Sequence, residues 1–318
     1  MRPTGPLHLV NLHGALSNWV HLQETYECFF FIADWHALTS DYEKTGNIKE
    51  YVRYMMIDWL SAGLSPEKST LFVQSHVKEH AELFLLLSMI TPVPWLERNP
   101  TYKDQIVQLE NKDLSTFGFL GYPVLQAADI IIYKADGVPV GVDQVPHVEI
   151  TREIARRFNF LYGNVFPEPE AILTQTSKIL GLDRRKMSKS YNNAIYLSET
   201  PKEISANVSK MITDPQRARK NDPGNPEVCN VFEFHKLYTD KATMAEIDRD
   251  CRIAKIGCVE CKKIMAKNLS EALAPIREKR EYYLSKPGLV DDIIKEGTEQ
   301  AKKVARMTLE EVRAAIKI

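Results

Sequence analysis

Cysteine is scarce in this chain, with 5 in 318 residues, and glycine supplies only 14. Five thiols over that length do not make the disulfide framework of a small secreted domain. The glycine content excludes a collagen-like repeat, and a 44% hydrophobic share is too large for a disordered chain. Long apolar runs are also missing: the longest uncharged stretches, residues 83–96 and 114–128, fall short of the ~20 residues a bilayer-spanning helix needs. Met1 is followed at once by Arg2-Pro3-Thr4-Gly5 rather than by a basic stub and an apolar stretch, so a cytoplasmic protein with no membrane partner is expected. Net charge is nearly absent, 41 basic against 42 acidic side chains, which argues against a protein that coats DNA through charge alone.

That balance hides an asymmetry. Residues 1–150 carry 10 basic and 18 acidic side chains, and residues 151–318 carry 31 and 24, so a polyanionic partner is expected on the second half. Apolar periodicity predicts helices over 14–23, 48–60, 80–89, 116–126 and 143–158. Short apolar runs between them, at 28–32, 71–74, 130–133 and 138–140, read as buried strands. This alternation predicts an α/β domain built on a doubly wound, parallel, Rossmann-like sheet. Beyond about Ser198 the strand signal stops, and helices continue between Asp222-Pro223-Gly224-Asn225-Pro226 and Lys286-Pro287-Gly288. Thr308 and Glu311 have the spacing of a capping box, which places the start of a last helix there. The expected division is an α/β domain over 1–183, a linker over 184–197 and a helical domain over 198–318.

Two segments carry phosphate-binding chemistry. The opening Pro3-Thr4-Gly5-Pro6-Leu7-His8-Leu9-Val10-Asn11 precedes the first helix, which sets an imidazole and an amide where free helical N–H groups face an anion. Further on, Lys186-Met187-Ser188-Lys189-Ser190 follows Arg184 and Arg185 in the linker and can fold two point charges over a triphosphate. A lysine-rich pentamer taken alone is most often a solvated linker, and a lone loop histidine is no better than even evidence. Their conjunction resembles the paired signatures of class I aminoacyl-tRNA synthetases.

Within that class the chain resembles the tryptophanyl-tRNA synthetases along nearly its whole length. The segments that carry the likeness are RPTGPLHL, FFFIADWHALT, LLLSMITP with WLERNPTYKDQ, FLGYPVLQAADIIIY, VPVGVDQVPHVEITREIA and RKMSKSYNN. The resemblance implies that Asp129 accepts the indole N–H of tryptophan, that Tyr122 and Gln144 hold the amino-acid head, and that His36 forms a pocket wall. Gln126 belongs to the same substrate group. Indole Nε1 is only a donor and a carboxylate only an acceptor, so their pairing is a selectivity device.

Carried over in the same way, the ATP site comprises Arg2, Pro3, Thr4, His8, Val10 and Asn11, with Lys103, Gly141, Val142 and Asp143 toward the ribose. Ile179 faces the adenine, and Lys186, Met187, Ser188, Lys189 and Ser190 cover the pyrophosphate. The implied reaction is attack of the tryptophan carboxylate on the α-phosphate of ATP, then transfer to tRNA(Trp). His8, Asn11, Lys103, Lys186 and Lys189 with Mg²⁺ would stabilise charge moving onto pyrophosphate, and an existing anion needs no general base. A homodimer is a further implication of the family. Three positions depart from its pattern. Val10 stands where adenine normally packs on Gly, Val142 where an acid is frequent, and Asn192 where Gly usually follows KMSKS. The family also carries a short strand before the first signature, lining the tryptophan pocket, whereas here the signature follows Met1 directly.

Cys229, Cys251, Cys258 and Cys261 form C-x21-C-x6-C-x2-C. Four soft ligands suit a zinc S₄ cage or a [4Fe-4S] cluster equally by spacing. The resemblance to a subset of tryptophanyl-tRNA synthetases with such a cluster in the anticodon-binding domain favours iron-sulfur over zinc. Lone Cys28, in an apolar run, reads as core. Lys255, Lys262, Lys263 and Lys267 flank the cluster and suit an anticodon-facing surface or a solvated helix face alike. Two other readings stay open. A tyrosyl-tRNA synthetase pocket resembles YxxxQxxD, which Tyr122, Gln126 and Asp129 satisfy, and Val10 would fit a catalytically weakened paralogue acting as a tRNA-binding or iron-sulfur module.

Overall fold

The computed structural model describes residues 1–100, 102–103, 113–173 and 179–318, apart from the side chain of Ser190. The chain divides into two compact units, and each draws on separated stretches of sequence. Unit 1 comprises Met1–Gly5, Leu16–Thr176 and Lys286–Ile318, and unit 2 comprises Pro6–Ala15 and Ser177–Ser285.

Unit 1 is the α/β unit. Strand β1 (Cys28–Ile32) pairs in parallel with β2 (Ser69–Val73), with Cys28 beside Ser69 and Ile32 beside Val73. Strand β3 (Gly137–Val140) pairs in parallel with β4 (Glu170–Leu173). Parallel partners require crossovers, and the first contains α1 (Asp34–Asp41) and α2 (Ile48–Ala62). Helix α2 stops where expected because Gly63 takes a φ of 115°, which ends the helix with no Cβ penalty. Helices α3 (Glu79–Ser88), α4 (Phe117–Ile131) and α5 (Val145–Tyr162) follow in this unit. Their apolar faces meet in one core, where Phe72 joins Leu83 and Leu87, Ala127 and Ile131, Ile154 and Phe158.

In unit 2, α6 (Pro201–Lys210) opens with a reciprocal cap between Thr200 and Glu203, and the Asp240 carboxylate caps the helix that starts at Lys241 by accepting from the Ala242 and Thr243 amides. Helices α7 (Asn230–Tyr238), α8 (Lys241–Arg252) and α9 (Cys258–Ser285) complete its helical part. The chain then returns to unit 1 as α10 (Pro287–Ile316). Ala301, Ala305 and Leu309 of α10 join the unit 1 core. Gly297 brings α10 so close to β2 that an added Cβ would lie 2.0 Å from the Leu71 carbonyl oxygen.

Several sequence expectations are corrected. Residues 130–133 do not form a strand, because α4 runs on to Ile131 through an internal Pro123. The helix expected from residue 14 starts earlier, as a turn at Leu9–Asn11, a wider π turn at Leu12–Leu16 and a regular stretch at Ser17–Leu22. Thr308 caps nothing: it is buried in the middle of α10, whose start is set by Pro287 at its first position. Strand β4 was not expected, and the final helix groups with the α/β unit rather than with the helical one. Among the described residues, no helix is long and apolar enough to cross a membrane.

Candidate active site

Asp129 lies on α4, deep in unit 1 and only 2% exposed. Three side chains from three other elements converge on its carboxylate. Gln74, in the turn after β2, donates its amide to both oxygens at 2.8 Å. His36 of α1 donates from Nε2 to Oδ2 at 2.8 Å, and His80 of α3 donates from Nδ1 to Oδ1 at 2.6 Å. The imidazoles are assigned as donors because an ionised carboxylate can only accept. Burial pushes the Asp129 carboxyl up, but the hydrogen bonds from His36 and His80 outweigh it and hold the group at about 2. Behind His80, its Nε2 lies 2.6 Å from the Tyr133 hydroxyl.

In front of Asp129 lies a cavity of about 300 Å³. All five residues expected to bind the amino acid line it: His36, Tyr122, Gln126, Asp129 and Gln144. Arg2 lines it too and donates to the Ser40 hydroxyl at 3.3 Å. Tyr122 is held by His147, whose Nε2 lies 3.2 Å from the tyrosine hydroxyl and whose Nδ1 lies 3.2 Å from the Asn99 amide. Burial pulls the His147 imidazole down to about 4, so it is neutral at pH 7. Gly141 leads from β3 into the turn Val142–Gln144, where the Gln144 amide donates to Asp143 at 2.9 Å. Val142 is 72% exposed. Lys103 is exposed and does not line the cavity, and Pro3 is buried beside exposed Thr4.

Unit 2 holds the other signature residues. His8 is buried and forms a bridge with Tyr196, while its backbone N–H donates to the Asn11 side chain at 3.0 Å. Its Nδ1 is buried with no partner among the described residues. Burial, aided by the charge of Lys189, pulls this imidazole down to about 4. Val10 sits half-buried in the same turn.

The KMSKS segment is organised by Asn193. Its amide donates to Asp183 at 2.7 Å and to the Lys186 carbonyl at 3.2 Å, and its oxygen accepts from the Ser188 N–H at 2.8 Å. Asn193 packs on Gly181, where a Cβ would sit 2.2 Å from the amide nitrogen. Met187 and Ile179 are buried, and Lys189 begins a short turn, Lys189–Tyr191. Asn192 takes a φ of 50°, a left-handed conformation open to Asn and Gly, so its replacement of the usual Gly preserves the backbone. The side chain of Ser190 lies outside the described residues.

The four cysteines come from three helix ends in unit 2. Cys229 precedes α7, Cys251 lies in the last turn of α8, and Cys258 and Cys261 share the first turn of α9. Burial, reinforced by the other three thiols, pushes Cys261 up to about 12. Cys251 accepts from the Arg217 guanidinium at 3.7 Å, and Cys261 Sγ lies 3.4 Å from His235 Nε2. All five cysteines are free thiols, Cys28 half-buried among them. Among the described residues, no three His, Cys, Asp or Glu side chains are arranged as a metal-ligand set.

Sequence reading missed Gln74, His80, Tyr133 and His147 as site residues: Gln74 and His80 share no local motif, and Tyr133 and His147 stand in segments quoted above that do not reveal their partners. His80 did leave a trace, as a histidine opening a helix that is otherwise apolar over residues 83–87.

Residues 1–274 match the class I tRNA synthetase family (W and Y). The tryptophan--tRNA ligase of Thermotoga maritima is 56% identical over 320 residues, covering 100% of this chain and 98% of that protein. That of Aquifex aeolicus is 48% identical over 388 residues, with 100% and 98% covered. Among solved structures, the tryptophanyl-tRNA synthetase of Campylobacter jejuni in complex with ADP and tryptophan is similar with a TM-score of 0.92 at 34% identity, covering 100% of this chain and 98% of that one. With a parallel α/β unit, a buried acceptor at the end of a cavity and both signature segments in place, the chain belongs to the tryptophanyl-tRNA synthetases, class I ligases that activate tryptophan with ATP and load it onto tRNA(Trp).

Proposed function

We propose that Asp129 is the residue that selects tryptophan. The observation that carries this reading is a buried, ionised carboxylate facing a cavity lined by Tyr122, Gln126 and Gln144. Its oxygens are already paired, so an arriving indole N–H must displace a partner. His36 is the one that yields, because it lines the cavity, whereas His80 does not. Tyr122 and Gln144 then hold the ammonium and carboxylate of the amino acid. A phenylalanine ring would leave the displaced acceptor empty, and sites built this way reject such analogues by about 10⁴.

The residues proposed for ATP are Arg2, Pro3, Thr4, His8, Val10 and Asn11, with Lys103, Gly141, Val142 and Asp143, then Ile179 and the segment from Lys186 to Ser190. The unpartnered Nδ1 of neutral His8 supports a phosphate contact there. The family's Mg²⁺ supplies charge neutralisation on the phosphates when bound. Lys186 and Lys189 stabilise the departing pyrophosphate, and the tryptophan carboxylate attacks as the anion it already is.

Tryptophan-dependent ATP–pyrophosphate exchange tests the reading. Exchange with tryptophan but not tyrosine or phenylalanine, lost in Asp129→Asn, is the expected result. Exchange driven by tyrosine would overturn it, and none with any amino acid would favour a weakened paralogue.

The four cysteines are proposed to hold a [4Fe-4S] cluster, with zinc the less favoured occupant. What supports the reading is the donor set itself, four thiols brought by three helix ends of unit 2, with Arg217 donating to Cys251. Absorbance near 400 nm that bleaches on reduction, with iron and sulfide on analysis, is expected after anaerobic purification. One zinc in a colourless protein would overturn the assignment. A cytoplasmic homodimer completes the reading, and Leu85 and Met89, exposed one turn apart at α3, support a contact between copies.

A further inference from the structure

We propose that His80 is a positioning residue for tryptophan selection: with Tyr133 and Gln74 it fixes the Asp129 carboxylate from behind as an acceptor-only group aimed at the indole. This inference rests on the reading of Asp129 as the indole acceptor.

The Tyr133 hydroxyl lies 2.6 Å from His80 Nε2, and His80 Nδ1 donates to Asp129 Oδ1 at 2.6 Å. His80 is fully buried, with the rings of Phe31 and Phe72 at centroid distances of 5.8 and 6.1 Å. Tyr133 is locked by stacking on Phe29 at 4.6 Å. No group in this line reaches the cavity except the carboxylate itself. Gln74 spans both carboxylate oxygens and also accepts from the His36 backbone N–H at 3.4 Å, which ties the carboxylate plane to the start of α1. When His36 gives way to the substrate, Gln74 and His80 remain as the groups that orient Asp129 and keep it ionised. Without His80, burial favours the protonated acid, and a carboxyl proton presents a donor where the indole N–H needs an acceptor.

The test compares kcat/KM for tryptophan with that for its benzothiophene analogue, in which sulfur replaces the indole N–H. His80→Phe keeps a ring of similar volume and removes both nitrogens. The expected result is a preference for tryptophan reduced about tenfold, the step from a charge-assisted to a neutral hydrogen bond, through a raised KM for tryptophan with the analogue unaffected. His80→Asn, which keeps a donor near the Nδ1 position, restores most of the preference. A folded His80→Phe with the original preference, or with equal losses on both substrates, overturns the inference. Should that variant not fold, Tyr133→Phe, which keeps the stacked ring, decides: a reduced preference supports the inference and an unchanged one overturns it. The underlying reading fails separately, and takes the inference with it, if the unmodified enzyme uses the analogue as well as tryptophan.

Discussion

Asp129 in unit 1 and His8 in unit 2 are both buried polar groups, yet the first has every acceptor position occupied while the second keeps a nitrogen without a partner among the described residues. A closed network makes one group rigid and gives it a single protonation state, which suits discrimination between similar side chains. An open nitrogen costs stability in the free protein and is recovered only when a ligand arrives, which suits a group that acts on a transient charge. On the proposed assignment, selection and charge stabilisation differ in how completely their groups are hydrogen-bonded.

The contrast breaks most visibly on removal of each side chain. Asp129→Ala strands donors from His36, His80 and Gln74 in a buried space, and a loss of about 3 to 5 kcal/mol in unfolding free energy is expected. His8→Ala removes a ring whose Nδ1 has no partner among the described residues, and the loss from polar contacts should stay near zero. Denaturant midpoints at pH 7 measure both, and equal losses would erase the distinction.

A smaller effect sharpens the comparison in the other direction. Lys189→Ala and His8→Ala should each lower the rate of pyrophosphate exchange by about 10²-fold, the usual cost of one transition-state donor, with the KM for tryptophan unchanged. A raised tryptophan KM instead would assign these residues to the amino-acid pocket.

pH separates the two kinds of group again. The Asp129 carboxyl is lower in the folded chain than in the unfolded one, so its stabilisation is present above about pH 4 and is lost as pH falls toward 2. His8, His147 and His235 are also lowered, each to about 4 and chiefly by burial, but a lowered histidine acts in an earlier window. Their neutral forms cost nothing above about pH 6.5, and stability is lost as pH falls from there toward 4, because the unfolded chain takes up protons first. Stability measured between pH 7 and 2.5 should decline across both windows. Asn192→Gly is the smallest change: with φ already at 50°, a shift of a few tenths of a kcal/mol is expected by thermal melting.

Much of this was legible in the sequence where the determinants are local. Strand β1 follows from five consecutive apolar residues, and the end of α2 from Gly63. The five side chains that line the cavity stand in segments with their own patterns, so they could be grouped in advance. His80 and Gln74 could not, nor Tyr133 behind His80, because the property that matters is assembly around one carboxylate by residues up to 59 positions apart in the chain. The false strand at 130–133 has the same origin in reverse. A short run of Ile and Tyr is apolar in either conformation, and only the continuation of α4 from Phe117 decides it. The capping box at Thr308 was a local pattern overruled by the amphipathic period of a helix that begins at Pro287.

The return of α10 to β2 also fixes an order of events during synthesis. Every residue of unit 2 precedes Lys286, so its full sequence leaves the ribosome before any of α10 does. Until then β2, buried along its whole length in the finished protein, lacks the helix whose Gly297 lies against Leu71. Unit 1 therefore cannot finish folding until unit 2 has been made, and its newborn apolar strand is the surface a chaperone would meet.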